Sequence, residues 1–311
     1  MRKWIAVLLC IVMLGLCGCT PTPQGETTET TVPVSQVGPN TLLPNEGKSL
    51  KLLAITSSFG VDTTDYLYDI AVAEGVEEVI VGRLFFGACT LKRHVNNAIS
   101  NNPEYEFTKK ANGEWLNLGN ASIKQGLLSE DWDIIFIQQS AAESGQTDTY
   151  KDYVDQLVDY INENKTNSHA EIVWNMTWAY QADSEQQVFL ETFKADQMYM
   201  YQSIVGAMQE HIVPRTDLAA FIPSGTAIQN ARTSYFGDML TRDTLHLNDL
   251  GKVIAGYTLY SVLADKPLTE MSLTKVSEGF SLSDSNKEVI MEAVNNAIEK
   301  PFEVTPSSYT D

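Results

Sequence analysis

Cysteine is scarce in this chain, and the positions of the few cysteines limit what they can do. Three of the four, Cys10, Cys17 and Cys19, lie within the first nineteen residues, and only Cys89 lies beyond them. A single thiol cannot form an internal disulfide, and a Cys-rich metal site needs several sulfur ligands. The main part of the chain is therefore expected to fold without either.

Several motifs of common enzyme sites are also missing. The chain has no G-x-G-x-x-G fingerprint, no Gly-Lys-Ser/Thr phosphate loop, no H-E-x-x-H and no G-x-S-x-G elbow. These absences argue against a nucleotide-binding enzyme, a zinc protease and a typical α/β-hydrolase. We predict no metal site and no cofactor.

Basic residues are few relative to acidic ones. The chain has 21 Lys and Arg against 40 Asp and Glu, which gives a formal net charge of −19 at pH 7. A surface this acidic repels nucleic acid and anionic lipid headgroups. We therefore exclude nucleic acid as a partner and expect contact with a membrane only through an N-terminal lipid.

The first residues have the pattern of an export signal. Two basic residues precede an apolar run over residues 4–16, which is short for a membrane span. The run ends in Leu16-Cys17-Gly18-Cys19, which resembles the lipobox of bacterial lipoproteins. That resemblance implies a signal peptide over residues 1–18 and a lipid on Cys19. An ordinary signal peptide or an anchor helix is the alternative, although the usual A-x-A-like cleavage pattern is absent.

Residues 19–48 have the composition of a linker. They are rich in Thr, Pro, Gly, Ser and Glu, and such a segment cannot bury a hydrophobic core. We predict a flexible tether that carries the domain on the lipidated cysteine. The predicted location is the cell membrane, on the side facing outside the cytoplasm.

Beyond residue 48, short apolar runs alternate with amphipathic segments. Strands alternating with helices predict a mostly parallel sheet with helices on both faces. The predicted fold is an α/β/α sandwich of three layers, flavodoxin-like, within a domain over residues 49–267. Its five predicted strands cover residues 50–55, 79–86, 133–137, 171–176 and 218–222.

Three segments need separate predictions. Residues 104–116 contain the turn signal Asn112-Gly113 and predict a hairpin, which we place outside the main pattern of the sheet. Residues 184–210 predict one long helix. Residues 268–311 predict a C-terminal helix and tail packed back on the domain, because a capping-box pattern precedes apolar residues at helical spacing.

Polar and aromatic residues follow the predicted strands at their carboxyl ends, where open α/β folds place their sites. A serine there becomes a nucleophile when an imidazole accepts its proton and a carboxylate orients that imidazole. Asp243 and His246 are three residues apart, so one turn could present both. Main-chain N–H groups or a glutamine amide could stabilise the oxyanion. The candidates at the strand ends are Ser57, Ser58, Gly87, Ala88, Gln138, Gln139, Trp178 and Tyr180.

Each candidate also has a structural interpretation. A serine after a strand commonly caps the next helix, and Asp243 could cap a turn. The two glutamines could simply end a strand, and Trp178 and Tyr180 could be core residues.

These residues resemble a known family. The Thr56-Ser57-Ser58 block near the start and the Asp243-Thr244-Leu245-His246 block near the end are similar to those of SGNH (GDSL-like) hydrolases. Segments 86–91, 132–140 and 178–180 look like a DUF4886-type branch of that superfamily. The resemblance covers about residues 50–265 and implies the SGNH type of α/β/α sandwich.

The resemblance also implies roles for individual residues. Ser58 would be the nucleophile, His246 the base and Asp243 its orienting partner. Gly87 or Ala88 and Gln138 or Gln139 would stand at the oxyanion hole. Two features depart from the family: Thr56 replaces the usual glycine of the serine block, and the usual oxyanion asparagine is not evident.

The leading hypothesis is a surface-tethered serine esterase that hydrolyses O-acyl groups. Acetylated carbohydrate is the expected substrate, with Trp178 and Tyr180 stacking on the sugar. The alternatives are a carbohydrate-binding lipoprotein whose chemistry was lost through the Thr56 and Gln changes, and an interaction protein of the cell envelope.

Overall fold

The apolar run after residue 48 forms a central strand. In the computed structural model, which describes residues 41–310, this run is β1 (Ser49–Thr56). Seven of its eight residues are buried, as expected for a strand covered on both faces. The predicted signal peptide, Cys19 and most of the predicted tether lie outside the described residues.

The other elements follow in chain order. The strands are β2 (Glu78–Phe85), β3 (Tyr105–Lys110), β4 (Trp115–Ala121), β5 (Ile134–Ile137), β6 (Glu171–Asn175), β7 (Ala220–Ile222), β8 (Lys275–Ser277) and β9 (Phe280–Ser281). The helices are α1 (Pro44–Gly47), α2 (Ser58–Thr64), α3 (Leu67–Ala73), α4 (Leu91–Ser100), α5 (Ile123–Leu127), α6 (Lys151–Asn164), α7 (Gln187–Glu191), α8 (Gln197–His211), α9 (Ser224–Arg232), α10 (Asp249–Ala264) and α11 (Asp284–Glu299).

The main sheet has the order β4-β3-β2-β1-β5-β6-β7. Neighbouring strands pair in parallel along the part β2-β1-β5-β6-β7. These are the five strands that the sequence predicts. The chain therefore has the predicted α/β fold with a mostly parallel sheet. The strand order reverses at β1, because β2 lies on one side of it and β5 on the other. Open α/β folds place their sites at the carboxyl end of the strands at such a point, so a site is expected at the end of β1.

Two layers of helices cover the sheet. In one layer α10 contacts α2, α3, α9 and α11, and in the other α4, α5 and α6 contact one another. The C-terminal helix α11 packs against α9, and its Ile290 and Val294 are fully buried in the same core as the strands. The apolar spacing predicts this packing. The predicted capping box of Ser285 and Glu288 is wrong, because Ser283 caps the helix by accepting from the Asn286 N–H.

The predicted position of the hairpin is wrong. Strand β3 pairs antiparallel with β2, and β4 pairs with β3, so the hairpin extends the sheet to seven strands. Tyr105 and Phe107 on β3 are buried, which supplies the apolar contact that holds the hairpin on the sheet edge. On β4, Leu116 and Leu118 are exposed, so its sequence gives little sign of a strand in a domain sheet.

The predicted long helix over residues 184–210 is also wrong. It is divided into α7 and α8, with Lys194 and Ala195 at φ 58° and 52° between them. The break lets Phe189 and Phe193 both enter the core, and the Asp196 side chain then caps α8 by accepting from the Tyr199 N–H. Tertiary burial thus overrides the helical preference of the segment.

Candidate functional site

The end of β1 places a serine at the carboxyl edge of the sheet. Ser57 has extended backbone angles (φ −101°, ψ −168°) and Ser58 is the first residue of α2. The Ser57 side chain does not cap the helix. Its hydroxyl instead accepts a hydrogen bond of 3.3 Å from Gln138, so the more exposed serine at this edge is Ser58.

Ser58, His246 and Asp243 form a continuous hydrogen-bonded array. His246 Nε2 lies 2.8 Å from Ser58 Oγ, and His246 Nδ1 lies 2.7 Å from Asp243 Oδ2. Both distances are within the reach required for a nucleophile, its base and the orienting carboxylate. Ser58 and His246 are 188 residues apart in the sequence, and the fold brings them into contact. It has the order of roles that the family resemblance implies.

Asp243 is held in its ionised form. Burial acts to raise its pKa, but hydrogen bonds from the His246 ring and from the His246 and Leu245 N–H groups outweigh burial and lower the pKa below its usual range. The side chain is still 47% exposed. Asp243 can thus accept from the imidazole and favour the tautomer whose Nε2 accepts a proton from Ser58.

A buried carboxylate on α2 holds one side of the histidine loop, residues 241–247. Asp62 is 2% exposed and accepts from the Leu247 N–H at 2.9 Å and from Arg242 Nη1 at 3.0 Å. Arg242 also donates to the Leu247 carbonyl, so the two ends of the loop are tied to each other. Asp62 lies four residues after Ser58, which places nucleophile and clamp on successive turns of one helix.

Burial raises the pKa of Asp62, and the Arg242 guanidinium offsets only part of that effect. Inside the protein the carboxylate therefore depends on Arg242 and the Leu247 N–H for its stabilisation. Asp62 and Arg242 are not among the site residues predicted from the sequence. The signals available were the four-residue spacing from Ser58 and the position of Arg242 directly before Asp243.

Trp178 holds the other side of the histidine loop. Its Nε1 donates to the Leu245 carbonyl at 2.8 Å, and its ring stacks on Phe59 with centroids 4.1 Å apart. Phe59 in turn meets the His246 ring edge-on at 5.8 Å. Near Trp178 in the sequence, the Gln181 N–H donates to the Thr244 carbonyl at 2.8 Å. Thr244 itself has φ 71°.

The predicted sugar-stacking role of Trp178 and Tyr180 is wrong. Their exposed fractions are 0% and 3%, so neither presents a ring face to a ligand. Phe59 lies between them, stacked on Trp178 and 6.2 Å from Tyr180, and all three belong to the hydrophobic core. These three rings belong to the part of the core that supports the histidine loop.

Thr56 fits at the position where the family usually has glycine. Neither Thr56 nor Ser57 has a positive φ, so the turn does not need a residue without a side chain. The Thr56 hydroxyl donates to the Ser57 carbonyl at 3.0 Å. Space for its side chain comes from Gly60, where an added Cβ would overlap Thr56 Oγ1 and lie 2.9 Å from the Phe136 ring.

The predicted oxyanion residues Gly87 and Ala88 lie in an exposed turn after β2. Ala88 has φ 51°, and the Cys89 N–H closes the turn on the Phe86 carbonyl at 3.2 Å. Within residues 41–310, the N–H groups of Gly87 and Ala88 donate to no other protein group. At the start of α2, the Ser58 N–H likewise has no acceptor within its helix. The role of these donors remains a prediction.

The two predicted glutamines have different surroundings. Gln139 is wrong as an oxyanion donor, because its amide nitrogen donates to Thr149 and its oxygen accepts from the Leu91 and Ser140 N–H groups. It therefore ties strand β5 to the start of α4. Gln138 is also buried, but its amide nitrogen points to Ser57 beside the nucleophile, so its role stays a prediction.

Asn175, at the end of β6, is a polar residue of the site region that is not among those predicted from the sequence. Its amide nitrogen donates to Gln138 Oε1 at 3.0 Å, and its oxygen accepts from Ser224 Oγ at 2.7 Å. The asparagine is 1% exposed and orients Gln138 from behind. The sequence signal was a polar residue ending a strand, the same feature that drew attention to Gln138.

A cleft of about 320 Å³ opens beside Ser58. Its walls come from α2, from the paired strands β2 and β3, and from Arg242 of the histidine loop. Within the described residues, no group of three or more His, Cys, Asp or Glu side chains is arranged to hold a metal ion. No helix in residues 41–310 has the length and apolar character needed to cross a membrane.

The fold and site together define an α/β sandwich with a Ser–His–Asp array at the carboxyl edge of its sheet. The chain belongs to the family described as "Domain of unknown function (DUF4886)", whose profile matches residues 51–286. This match confirms the resemblance to a DUF4886-type branch that the sequence motifs indicate.

Solved structures agree with the family assignment. A DUF4886 family protein from Bacteroides uniformis ATCC 8492 shares 36% identity with this chain and has a TM-score of 0.76. The similarity covers 83% of this chain and 98% of that one. No curated protein matches the chain.

Two other structures are more distant. One is a protein from Slackia heliotrinireducens described as a candidate SGNH hydrolase, with 15% identity, a TM-score of 0.44 and coverage of 69% of this chain and 99% of that one. The other is a gut microbial diltiazem-metabolizing enzyme, with 12% identity, a TM-score of 0.39 and coverage of 73% and 49%. At such TM-scores neither one supports a conclusion about this chain.

Proposed function

We propose that this protein is a serine esterase that hydrolyses O-acyl esters, with acetylated carbohydrate as the expected substrate. The observation that carries the proposal is the array Ser58–His246–Asp243, with its two contacts of 2.8 Å and 2.7 Å. A serine hydroxyl is a weak nucleophile unless a neighbouring base accepts its proton, and this arrangement supplies that base.

The proposed reaction has two halves. Ser58 Oγ attacks the ester carbonyl while His246 Nε2 takes the hydroxyl proton, and the C–O bond to the alcohol then breaks as His246 returns that proton to the leaving oxygen. In the second half a water molecule attacks the acyl-serine, His246 takes a proton from the water, and the carboxylic acid leaves as Ser58 is reprotonated. Asp243 stabilises the imidazolium formed in each half.

The negative charge on the carbonyl oxygen needs hydrogen-bond donors. In the proposal these are the N–H of Ser58 and the N–H groups of the turn that contains Gly87 and Ala88. Preorganised main-chain donors are effective because they need no reorientation when charge develops.

A carbohydrate-binding protein without chemistry was the alternative. That hypothesis depended on Thr56 distorting the serine turn and on the changed glutamine positions. The fit of Thr56 against Gly60 favours the esterase instead. In the proposal a lipid on Cys19 anchors the domain to the membrane, and the domain faces outside the cytoplasm. Mass spectrometry of the mature N-terminus checks for that lipid.

The test compares the two neighbouring serines. Purified wild-type protein is given short-chain 4-nitrophenyl esters and acetylated glycosides, alongside Ser58→Ala and Ser57→Ala. Ser58→Ala is expected to lose at least about 10³-fold in kcat, whereas Ser57→Ala keeps the nucleophile. A fluorophosphonate probe should label Ser58, as located by peptide mass spectrometry. Equal rates for wild type and Ser58→Ala would show the proposal to be wrong.

A further inference from the structure

The cleft beside Ser58 has a floor made from two paired strands. In the register of β2 and β3, Arg83 lies opposite Thr108 and Phe85 lies opposite Glu106. Side chains two apart on a strand share a face, so these four residues project on one side of the sheet. Because all four line the cleft with Ser58, the hairpin edge of the sheet reaches the reaction centre.

Two of the charged groups in the cleft are already paired. Asp62 is used by Arg242 and by the Leu247 N–H. Arg83 donates to Thr64 and to Asp65, and its guanidinium lies 3.6 Å from the centre of the Trp115 ring. These groups shape the walls, but their charges are balanced within the protein.

The cleft can still offer a ligand the Glu106 carboxylate and the part of the Arg242 guanidinium that Asp62 does not occupy. Glu106 is exposed, and among the described residues it accepts only from Asn117 Nδ2, at 3.2 Å. Arg242 is 45% exposed, and its Nη1 is the nitrogen occupied by Asp62 and Leu247. One carboxylate and one guanidinium therefore stand on the same cleft, together with the Thr108 hydroxyl and the apolar Phe85 ring.

The charges that remain select a class of ligand. An anionic group would be repelled by Glu106, because the positive charge of Arg242 is already balanced by Asp62. A neutral group with several hydroxyls can donate to the carboxylate and accept from the guanidinium at the same time. The cleft volume of about 320 Å³ is at the lower end of small-molecule sites, which run from about 300 Å³.

We propose that this cleft, formed by α2, the β2–β3 face and Arg242, is the subsite for the alcohol part of the ester, and that it binds a neutral polyhydroxylated group. Glu106 and Arg242 are its specificity-determining residues. The inference rests on the proposed esterase function for its role in catalysis. It also makes a prediction about binding that does not need turnover.

The test uses purified full-length protein and three acetyl esters. These are 4-nitrophenyl acetate, a mono-O-acetylated methyl glucoside and the corresponding acetylated methyl glucuronide. We expect the wild type to prefer the neutral glucoside to the anionic glucuronide. Glu106→Ala is expected to lower kcat/KM for the acetylated glucoside about tenfold more than for 4-nitrophenyl acetate, mainly through KM.

The matched control is Glu114→Ala, which removes an exposed carboxylate from the same hairpin outside the cleft. It is expected to leave the ratio of the two rates as in the wild type. A second measurement follows binding of methyl glucoside to Ser58→Ala by titration calorimetry or NMR. Adding Glu106→Ala should weaken that binding about tenfold.

The outcomes separate the two proposals. If methyl glucoside binds in a Glu106-dependent way but no ester is hydrolysed, the subsite stands and the esterase function fails. If esters are hydrolysed but Glu106→Ala changes neither the rate ratio nor glucoside binding, the subsite is wrong and the esterase function stands. A preference for the acetylated glucuronide would also overturn the neutral class of ligand.

Discussion

Two segments flank Ser58 at the carboxyl edge of the sheet, and they are held in opposite ways. The histidine loop, residues 241–247, is fixed by Asp62 from α2, by Trp178 and by the Gln181 N–H. The turn over residues 86–90 is closed by a single main-chain bond, and within the described residues its Gly87 and Ala88 N–H groups have no protein acceptor.

In the proposed mechanism this contrast matches two different chemical tasks. A base must keep its ring aligned with the nucleophile, and fixing the loop from several elements prevents the imidazole from drifting. Donors to a transient oxyanion must be free until that charge forms, so occupying them within the protein would remove their use. One side of Ser58 is therefore tied down and the other left with open donors, and each of the next three experiments alters one side.

The largest effect is expected on the open side. Gly87→Pro removes the N–H of residue 87 and should lower kcat about 10²- to 10³-fold, the cost of losing one oxyanion donor. Gly87→Ala retains the N–H, and an added Cβ would have only Phe85 within 4 Å, at 3.9 Å. The ratio of kcat between the two variants is the quantity to measure. If they are equally active, residue 87 donates nothing to the oxyanion.

The next effect concerns the fixed side. Asp62→Ala leaves Arg242 and the Leu247 N–H without their acceptor, and the loosened loop should lower kcat about 10²-fold because the imidazole is displaced. Asp62→Asn keeps one acceptor oxygen and should recover part of that loss. With 4-nitrophenyl acetate, which has no sugar to contact Arg242, Asp62 acts through His246, and we expect KM to change less than kcat in steady-state kinetics.

Asp159→Asn is the control for Asp62, because Asp159 is an exposed aspartate on α6, away from the site. A fall in thermal stability with unaltered kcat in Asp62→Ala would mean that the clamp supports folding but not the alignment of the base.

The smallest effect is on stability. Trp178→Phe keeps an aromatic ring against Phe59 but removes the hydrogen bond to the Leu245 carbonyl. The free energy of unfolding should fall by about 1–3 kcal/mol, since a buried acceptor loses its partner. Urea denaturation measures it, with Trp174→Phe as a buried control whose indole makes no hydrogen bond to the described residues. Equal losses in both variants would assign the effect to ring size alone.

Much of the fold follows from local pattern. The five parallel strands are continuous apolar runs, and the helices between them have apolar residues at helical spacing, so both are legible in sequence. The hairpin was misplaced because β4 exposes its leucines, and no local signal states which edge it will join. The break between α7 and α8 depends on Phe189 and Phe193 reaching the core, which is a tertiary effect.

The site was legible only in part. Ser58, Asp243 and His246 stand out because their residue types and order are those of a known array. Trp178 was misassigned because an aromatic residue after a strand has the same sequence signature whether it faces ligand or core. Asp62 and the cleft depend on contacts between segments about 180 residues apart and on strand register, which spacing along the chain does not encode.

The fit of Thr56 against Gly60 has a consequence for how this protein's relatives can vary. A side chain at residue 60 is blocked as long as threonine occupies residue 56, so the two positions are expected to covary between homologues. Glycine at 56 would remove the two contacts with the threonine side chain, and alanine at 60 would then need only the Phe136 ring to move, whereas alanine at 60 beside Thr56 is overpacked on both sides. The substitution allowed at either position thus depends on the residue at the other.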